Sequence, residues 1–489
     1  MREILLRQWR EIRLNLRPRE FLYWFVQNLI LVVIKCSMRV QMFGGEHYAP
    51  CAGARGEAES AAVSRFPQAP AAVGVPATLI LASHKRDWDP LICATHLYYQ
   101  RGWWRPDGRR MAFVGREDML SRGFLAEIVA LWHWPRWTSW LLDHVNIAPI
   151  IGPLRAYPIV RPLEYSLRQY LFELRDEQGN LPLSEVFSDE FLARLDQWAE
   201  LLAKRPRRAR SRAAARDLRI SDILAWDYRE PLLERLRRRA LLPERYEAYK
   251  TFQREKIARQ VRALLGALLQ GDTLWLAPEG MITQDGAPRR VRESLHDLLA
   301  LMPLDTRVLP ANVTYDFMTT DRTRACLSIG APLERQPDLN RADLGQTVTT
   351  AISGQTVVTM TMLGSRFLWE RLQQGEPAFT FESAWAAVAQ KMLVLAEQGA
   401  TLERGLRETR QMERRFRAFL AYGLRHGLLT RQPGRASGSG RTRTYLIHPA
   451  PFQQWRVDFF WLNPRYAVNE LLALEAALAQ RERGMIANR

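Results

Sequence analysis

Apolar residues along the chain fall into short continuous runs separated by longer stretches of helical spacing. Ala77-Thr78-Leu79-Ile80-Leu81-Ala82 is a run of the buried-strand kind, and similar runs occur at 111–114, 158–160, 273–277 and 307–313. Asp89-Pro90 opens a helix expected to reach Tyr99, since proline suits a first helical turn. His84 therefore falls on a strand-to-helix loop. This alternation predicts an α/β fold, a mixed sheet flanked by helices.

Three stretches depart from that rhythm. Phe21 to Ile34 is apolar, broken only by Gln27 and Asn28, and six arginines precede it within residues 1–20. It is shorter than the roughly 20 residues a spanning helix needs, so it reads as an N-terminal helical membrane anchor of interfacial or re-entrant kind, covering residues 1–40. A helix packed on the protein's own core is the alternative. Residues 49–76, rich in Ala, Gly and Pro without periodicity, read as a mobile loop. Residues 162–243 interrupt the strand-helix alternation and carry the basic run Lys204-Arg205-Pro206-Arg207-Arg208-Ala209-Arg210-Ser211-Arg212, a solvated loop or an anion contact.

The chain thus divides into the anchor, a sheet domain over 41–335 and a mainly helical C-terminal domain over 336–489. The last has helical spacing at 384–429 and 466–479, with the Gly- and Ser-rich turn 434–441 and the strand-like 444–447 between them. Helix, basic hairpin and strand there could build a winged-helix-like unit.

Charge narrows the class of partner. Lys and Arg number 70 against 52 Asp and Glu, a net charge of +18, which attracts polyanions, whether lipid headgroups, phosphorylated substrates or nucleic acid. The dense tryptophans at 132, 134, 137 and 140 suit a membrane-water interface or a buried aromatic core. Cys36, Cys51, Cys93 and Cys326 show no paired metal spacing, so neither a metal site nor a disulfide framework is expected, and a reducing compartment fits.

The chemistry centres on Ser83-His84-Lys85-Arg86-Asp87-Trp88-Asp89. A histidine before a helix N-terminus is disfavoured from charging and can accept a proton, while an aspartate at the start of that helix can reach the other ring nitrogen. That is a general base with its orienter and no nucleophile of its own, so the attacking hydroxyl should belong to a substrate.

This segment resembles the His-x4-Asp block of the glycerolipid acyltransferases, the family of glycerol-3-phosphate and lysophosphatidate acyltransferases. Ala156-Tyr157-Pro158-Ile159-Val160-Arg161, Leu276-Ala277-Pro278-Glu279-Gly280 and Val308-Leu309-Pro310-Ala311-Asn312-Val313 are similar to its second, third and fourth blocks, in the same order, and Met38 to Glu46 resembles the strand before the first. Coverage runs from about residue 36 to 335. Met281 and Ile282 stand where the family usually has Thr and then Arg or Ser, and the second block lacks its common glycine.

The resemblance implies catalytic His84 and Asp89, and acceptor binding by Arg161, Glu279, Gly280 and Pro310. Arg161 would hold the acceptor phosphate and Glu279 its hydroxyls. It implies no metal and no cofactor, only acyl-CoA or acyl-carrier protein as co-substrate, with glycerol 3-phosphate or a lysophospholipid as acceptor at an anionic membrane surface on the cytoplasmic face. Lys85 and Arg86 could assist with phosphate or be solvated, and Arg289 and Arg290 could replace the polar residue missing after Gly280. The alternatives are another lipid acceptor, an inactive scaffold, or a basic nucleic-acid-binding protein; nucleic acid is disfavoured because it leaves the four ordered blocks unexplained.

Overall fold

The computed structural model describes residues 18–48, 77–86, 88–99, 110–116, 155–159, 166–203, 214–224, 236–269, 272–280, 285–334, 340–432, 444–453 and 463–487, with positions 142, 232, 282 and 283. The expected mobile loop, the four clustered tryptophans, the basic run 204–212 and Arg161 lie outside the described residues.

The chain separates into two compact units, residues 1–113 with 265–489, and residues 114–264. The first holds a mixed sheet. Its strands are β1 (Arg39–Phe43), β2 (Thr78–Ala82), β3 (Met111–Arg116, of which the first three residues belong to this unit), β5 (Thr273–Leu276), β6 (Arg307–Asp316) and β7 (Arg324–Ile329), while β4 (Ala156–Ile159) belongs to the second unit. The six strands run in the order β1-β7-β6-β2-β5-β3, all neighbours parallel except β6 with β7.

The apolar runs seen in the sequence are the central strands. Every residue of β2 is buried, as is usual for a strand flanked by parallel neighbours and covered on both faces. Its partner β6 pairs with β2 through residues 307–311 and with β7 through 311–316. Because β2 and β5 are parallel and in register, Leu81 opposite Leu276, the loops leaving their carboxyl ends emerge side by side.

Helix α1 (Pro18–Ser37) and helix α2 (Asp89–Tyr98) cover part of this sheet. One face of α1 is packed on the core: Tyr23, Trp24, Leu31 and Ile34 are buried, and the Tyr23 hydroxyl accepts from the Met111 N–H at 3.0 Å. The other face carries Leu22, Phe25, Leu29, Val32 and Val33, all exposed and falling on one helical stripe. Among the described residues no helix is long and apolar enough to cross a membrane.

Beyond β7 come α6 (Ser294–Leu301, between β5 and β6), α7 (Arg341–Ser353), α8 (Met360–Gln373), β8 (Ala378–Thr380), α9 (Phe381–Glu397), α10 (Thr409–Arg425), β9 (Leu429–Gln432), β10 (Thr444–Ile447) and α11 (Pro464–Ala487). From α8 to β10 the order is helix, strand, helix, helix, strand, strand, with the antiparallel sheet order β8-β10-β9. Its apolar core joins Leu363, Leu368, Val388, Phe416, Phe419 and Leu420 to Val468, Leu471 and Leu474 of α11.

The second unit is helical, with α3 (Leu167–Gln178), α4 (Asp189–Ala203) and most of α5 (Pro243–Leu269). Helix α3 starts at a capping box, Ser166 accepting from the Gln169 N–H while the Gln169 side chain accepts from the Ser166 N–H. Leu171, Val186, Phe187, Phe191 and Ile220 form its core.

Candidate active site

The site grows from two loops at neighbouring strand ends. After β2 the chain turns through Ser83 to Trp88 into α2, and after β5 it turns through Ala277 to Gly280. In the first loop Asp89 is fully buried and folds back on the turn before it: one carboxylate oxygen, Oδ2, accepts from the Lys85 N–H at 2.6 Å and the Arg86 N–H at 2.8 Å. These bonds fix the loop that presents His84. Oδ1 accepts from the Tyr315 hydroxyl, which reaches in from β6 at 2.5 Å. Burial and the Asp89 charge push the Tyr315 phenol well up, so it keeps its proton and acts as a donor.

His84 is partly exposed, with Nδ1 3.6 Å from Asp89 Oδ2. This is an ion-pair separation rather than a hydrogen bond; Asp89 orients the ring through its field and by shaping the loop. The ring meets Trp275 edge-on, with centroids 5.6 Å apart. With Nδ1 turned to the aspartate, Nε2 is the nitrogen free to serve a substrate.

Glu279 is buried at the turn of the second loop. Gly280 holds φ at 71°, a left-handed conformation that glycine adopts without strain, and a Cβ there would stand 3.1 Å from Arg292 Nε. One Glu279 oxygen accepts from the Arg289 N–H at 3.2 Å, while the other, Oε2, is buried without a hydrogen-bond partner among the described residues. Burial raises the carboxyl to about 7, opposed by the Arg289 N–H and by the charges of Lys85, Arg289 and His84. The two loops are tied together where the Thr283 N–H donates to the His84 carbonyl at 2.7 Å.

Ser83, Lys85 and Glu279 line one small pocket with Asn312, Thr356 and Glu470. The hydroxyls near His84 are engaged. Ser83 donates to Asn312 Oδ1 at 2.8 Å, Asn312 Nδ2 donates to Thr356 at 2.8 Å, and Thr283 and Tyr466 share a hydrogen bond of 2.9 Å. The Cys93 thiol is buried, and burial pushes its pKa up. None of these is poised as a nucleophile.

His84, Asp89, Glu279 and Gly280 thus converge on the ends of β2 and β5. Pro310 stands one strand away, buried within β6 opposite Leu81, its carbonyl accepting from the Gly330 N–H at 2.8 Å. Lys85, a candidate phosphate contact, is instead buried in an ion pair with Glu470 of α11, while Arg86 lies over the Tyr315 ring at 4.5 Å. Of the basic pair at 289 and 290, Arg289 reaches Glu279 and Arg290 is exposed beside Glu293.

Sequence reasoning missed Tyr315, Trp275, Thr283 and Glu470. Trp275 lies within a strand already singled out, and Tyr315 and Thr283 lie beyond the ends of two such strands, so reading those strands for side chains and following them further would have found all three. Glu470 carries no local signal. Compared with known proteins, the chain matches no family model and no curated protein.

Proposed function

We propose that the protein is an acyltransferase, moving a fatty acyl group from acyl-CoA or acyl-carrier protein to a hydroxyl of glycerol 3-phosphate or a lysophospholipid. The observation that carries this reading is a histidine backed by a buried, hydrogen-bonded aspartate with, among the described residues, no protein nucleophile poised beside it. Such a pair activates a hydroxyl that the substrate brings.

His84 Nε2 takes the proton of the acceptor hydroxyl as its oxygen attacks the thioester carbonyl, and Asp89 stabilises the imidazolium that forms. The C–O bond forms, the C–S bond breaks, and the departing thiolate recovers the proton from His84. When the acceptor is glycerol 3-phosphate, Glu279 Oε2 meets its second hydroxyl. The assignment of the acceptor phosphate to Arg161 rests on the block resemblance and the fit of a guanidinium fork to phosphate.

The exposed apolar stripe of α1 supports action at a membrane surface. Leu22, Phe25, Leu29, Val32 and Val33 would enter the interface while Tyr23 and Ile34 keep the helix on the core. We read that surface as the cytoplasmic face of a membrane; among the described residues no helix is long and apolar enough to cross one. Replacing Phe25 and Leu29 by Ser removes burial worth about 3 kcal/mol, so vesicle affinity is expected to fall about 100-fold in sedimentation assays; unchanged binding removes α1 from the interface.

The direct test incubates the protein with labelled acyl-CoA or acyl-carrier protein and a panel of acceptors, alongside His84→Ala. Transfer by the wild type and a loss of about 10³-fold in the variant are expected. Equal transfer by both removes His84 from the role of base, and no transfer to any acceptor removes the acyltransferase reading. A second reading, nucleic-acid binding, draws on a winged-helix-like reading of α8 to β10 and the exposed Arg410, Arg414 and Arg417 of α10. It predicts salt-dependent duplex binding that is lost when these arginines are replaced by Ala.

A further inference from the structure

The C-terminal region reaches the site through one face of α11. Tyr466, Asn469, Glu470 and Ala473 share that face at helical spacing. Tyr466 bonds Thr283, the residue that holds the His84 carbonyl, and Asn469 Nδ2 donates to the Asp285 carbonyl at 2.7 Å. The fit is close: at Gly286, where φ is 77°, a Cβ would come 2.3 Å from the Tyr466 carbonyl oxygen. Glu470 meets the Lys85 ammonium, the two side chains only 3% and 5% exposed.

Lys85 shares a pocket with two buried carboxylates, Glu470 and Glu279. It is paired with Glu470, yet its charge also acts on Glu279, and all three side chains line the same cavity. A buried ammonium deprived of one partner turns to the next anion within reach, because an unpaired charge out of water is costly. We propose that Glu470 is a positioning residue of this site: by holding the Lys85 ammonium against α11, it leaves Glu279 Oε2 unclaimed for a hydroxyl of the acceptor. The pairing rests on geometry alone; the identity of the hydroxyl rests on the acyltransferase reading.

The charged groups facing Glu279 are Lys85, His84 and Arg289, with Arg292 Nε on its carbonyl at 3.2 Å. Those facing Glu470 are Lys85, Arg86 and Asp89. In Glu470→Gln the ammonium loses its partner while keeping its charge, and its pull favours the Glu279 carboxylate. Glu279 then titrates at lower pH.

The full chain is titrated by infrared difference spectroscopy, with the protonated Glu279 carboxyl band assigned by its loss in Glu279→Gln. From a midpoint near 7 in the wild type, Glu470→Gln is expected to lower the midpoint by about one unit or more. Adding Lys85→Met to that variant should move it back up. Glu470→Gln should also raise the acceptor KM more than it lowers kcat. An unmoved midpoint, or the same downward shift with Lys85 removed, overturns the proposal. If Glu470→Gln does not fold, Glu470→Asp, with its shorter reach, is read for the same downward direction. Midpoints that move as stated in a protein that transfers no acyl group leave the positioning role standing and remove the acyltransferase reading.

Discussion

Asp89 and Glu279 stand in loops at the ends of adjacent parallel strands, both buried, and the chain surrounds them differently. Asp89 accepts hydrogen bonds from two main-chain N–H groups and a phenol. The Glu279 carboxylate accepts from one main-chain N–H, that of Arg289, and keeps an oxygen without a partner among the described residues. Donors hold the Asp89 carboxylate in one place, whereas burial with a single main-chain donor leaves Glu279 able to exchange a proton near neutral pH. The same kind of side chain is a strut in one loop and a receptor in the other.

The largest break in that comparison is Asp89→Ala. It strands two buried N–H groups and a phenol, and stability should fall by about 3 kcal/mol or more in urea unfolding. Acyl transfer should drop by about 10³-fold or more.

Glu279→Gln should act in the opposite direction on stability. Burial lifts Glu279 from 4.5 to about 7. Between those values the folded chain binds a proton that the unfolded chain releases, so stability declines as pH rises through the window. Removing the carboxyl should therefore stabilise the protein by on the order of 3 kcal/mol at pH above about 7 and change little near pH 4.5. Equal effects at both pH values would contradict the assignment.

Tyr315→Phe deletes one donor to a charged acceptor and should cost about 2 kcal/mol. Its kcat should fall more than its KM changes, because the loop that aims His84 is loosened while the acceptor contacts remain. Gly280→Ala is the smallest change: a side chain at φ 71° costs about 1 kcal/mol of backbone strain. The displaced turn should show as a raised acceptor KM.

Much of this was readable in the sequence because it is local. The strands β2, β5 and β6 are apolar runs, and the Asp89 turn closes over a few residues. That β2 and β5 are neighbours was not written in either run; it follows from parallel pairing, which puts residues 81 and 276 side by side. β7 was missed because Arg-Ala-Cys-Leu-Ser-Ile is short and mixed, and burial of its polar members depends on β6 and the ion pairs of Arg324 with Asp316 and Glu403. Lys85 read as a phosphate contact or a solvated side chain. Its burial depends on one glutamate nearly four hundred residues on, and a partner so distant leaves no periodicity to detect.

The dependence on α11 has a consequence for the order in which the molecule is made. During synthesis the segment from α1 to the Asp89 turn leaves the ribosome early, with its apolar stripe already in place. The helix bearing Tyr466, Asn469 and Glu470 emerges long afterwards. A nascent chain therefore carries the histidine long before the loops around it are braced by α11.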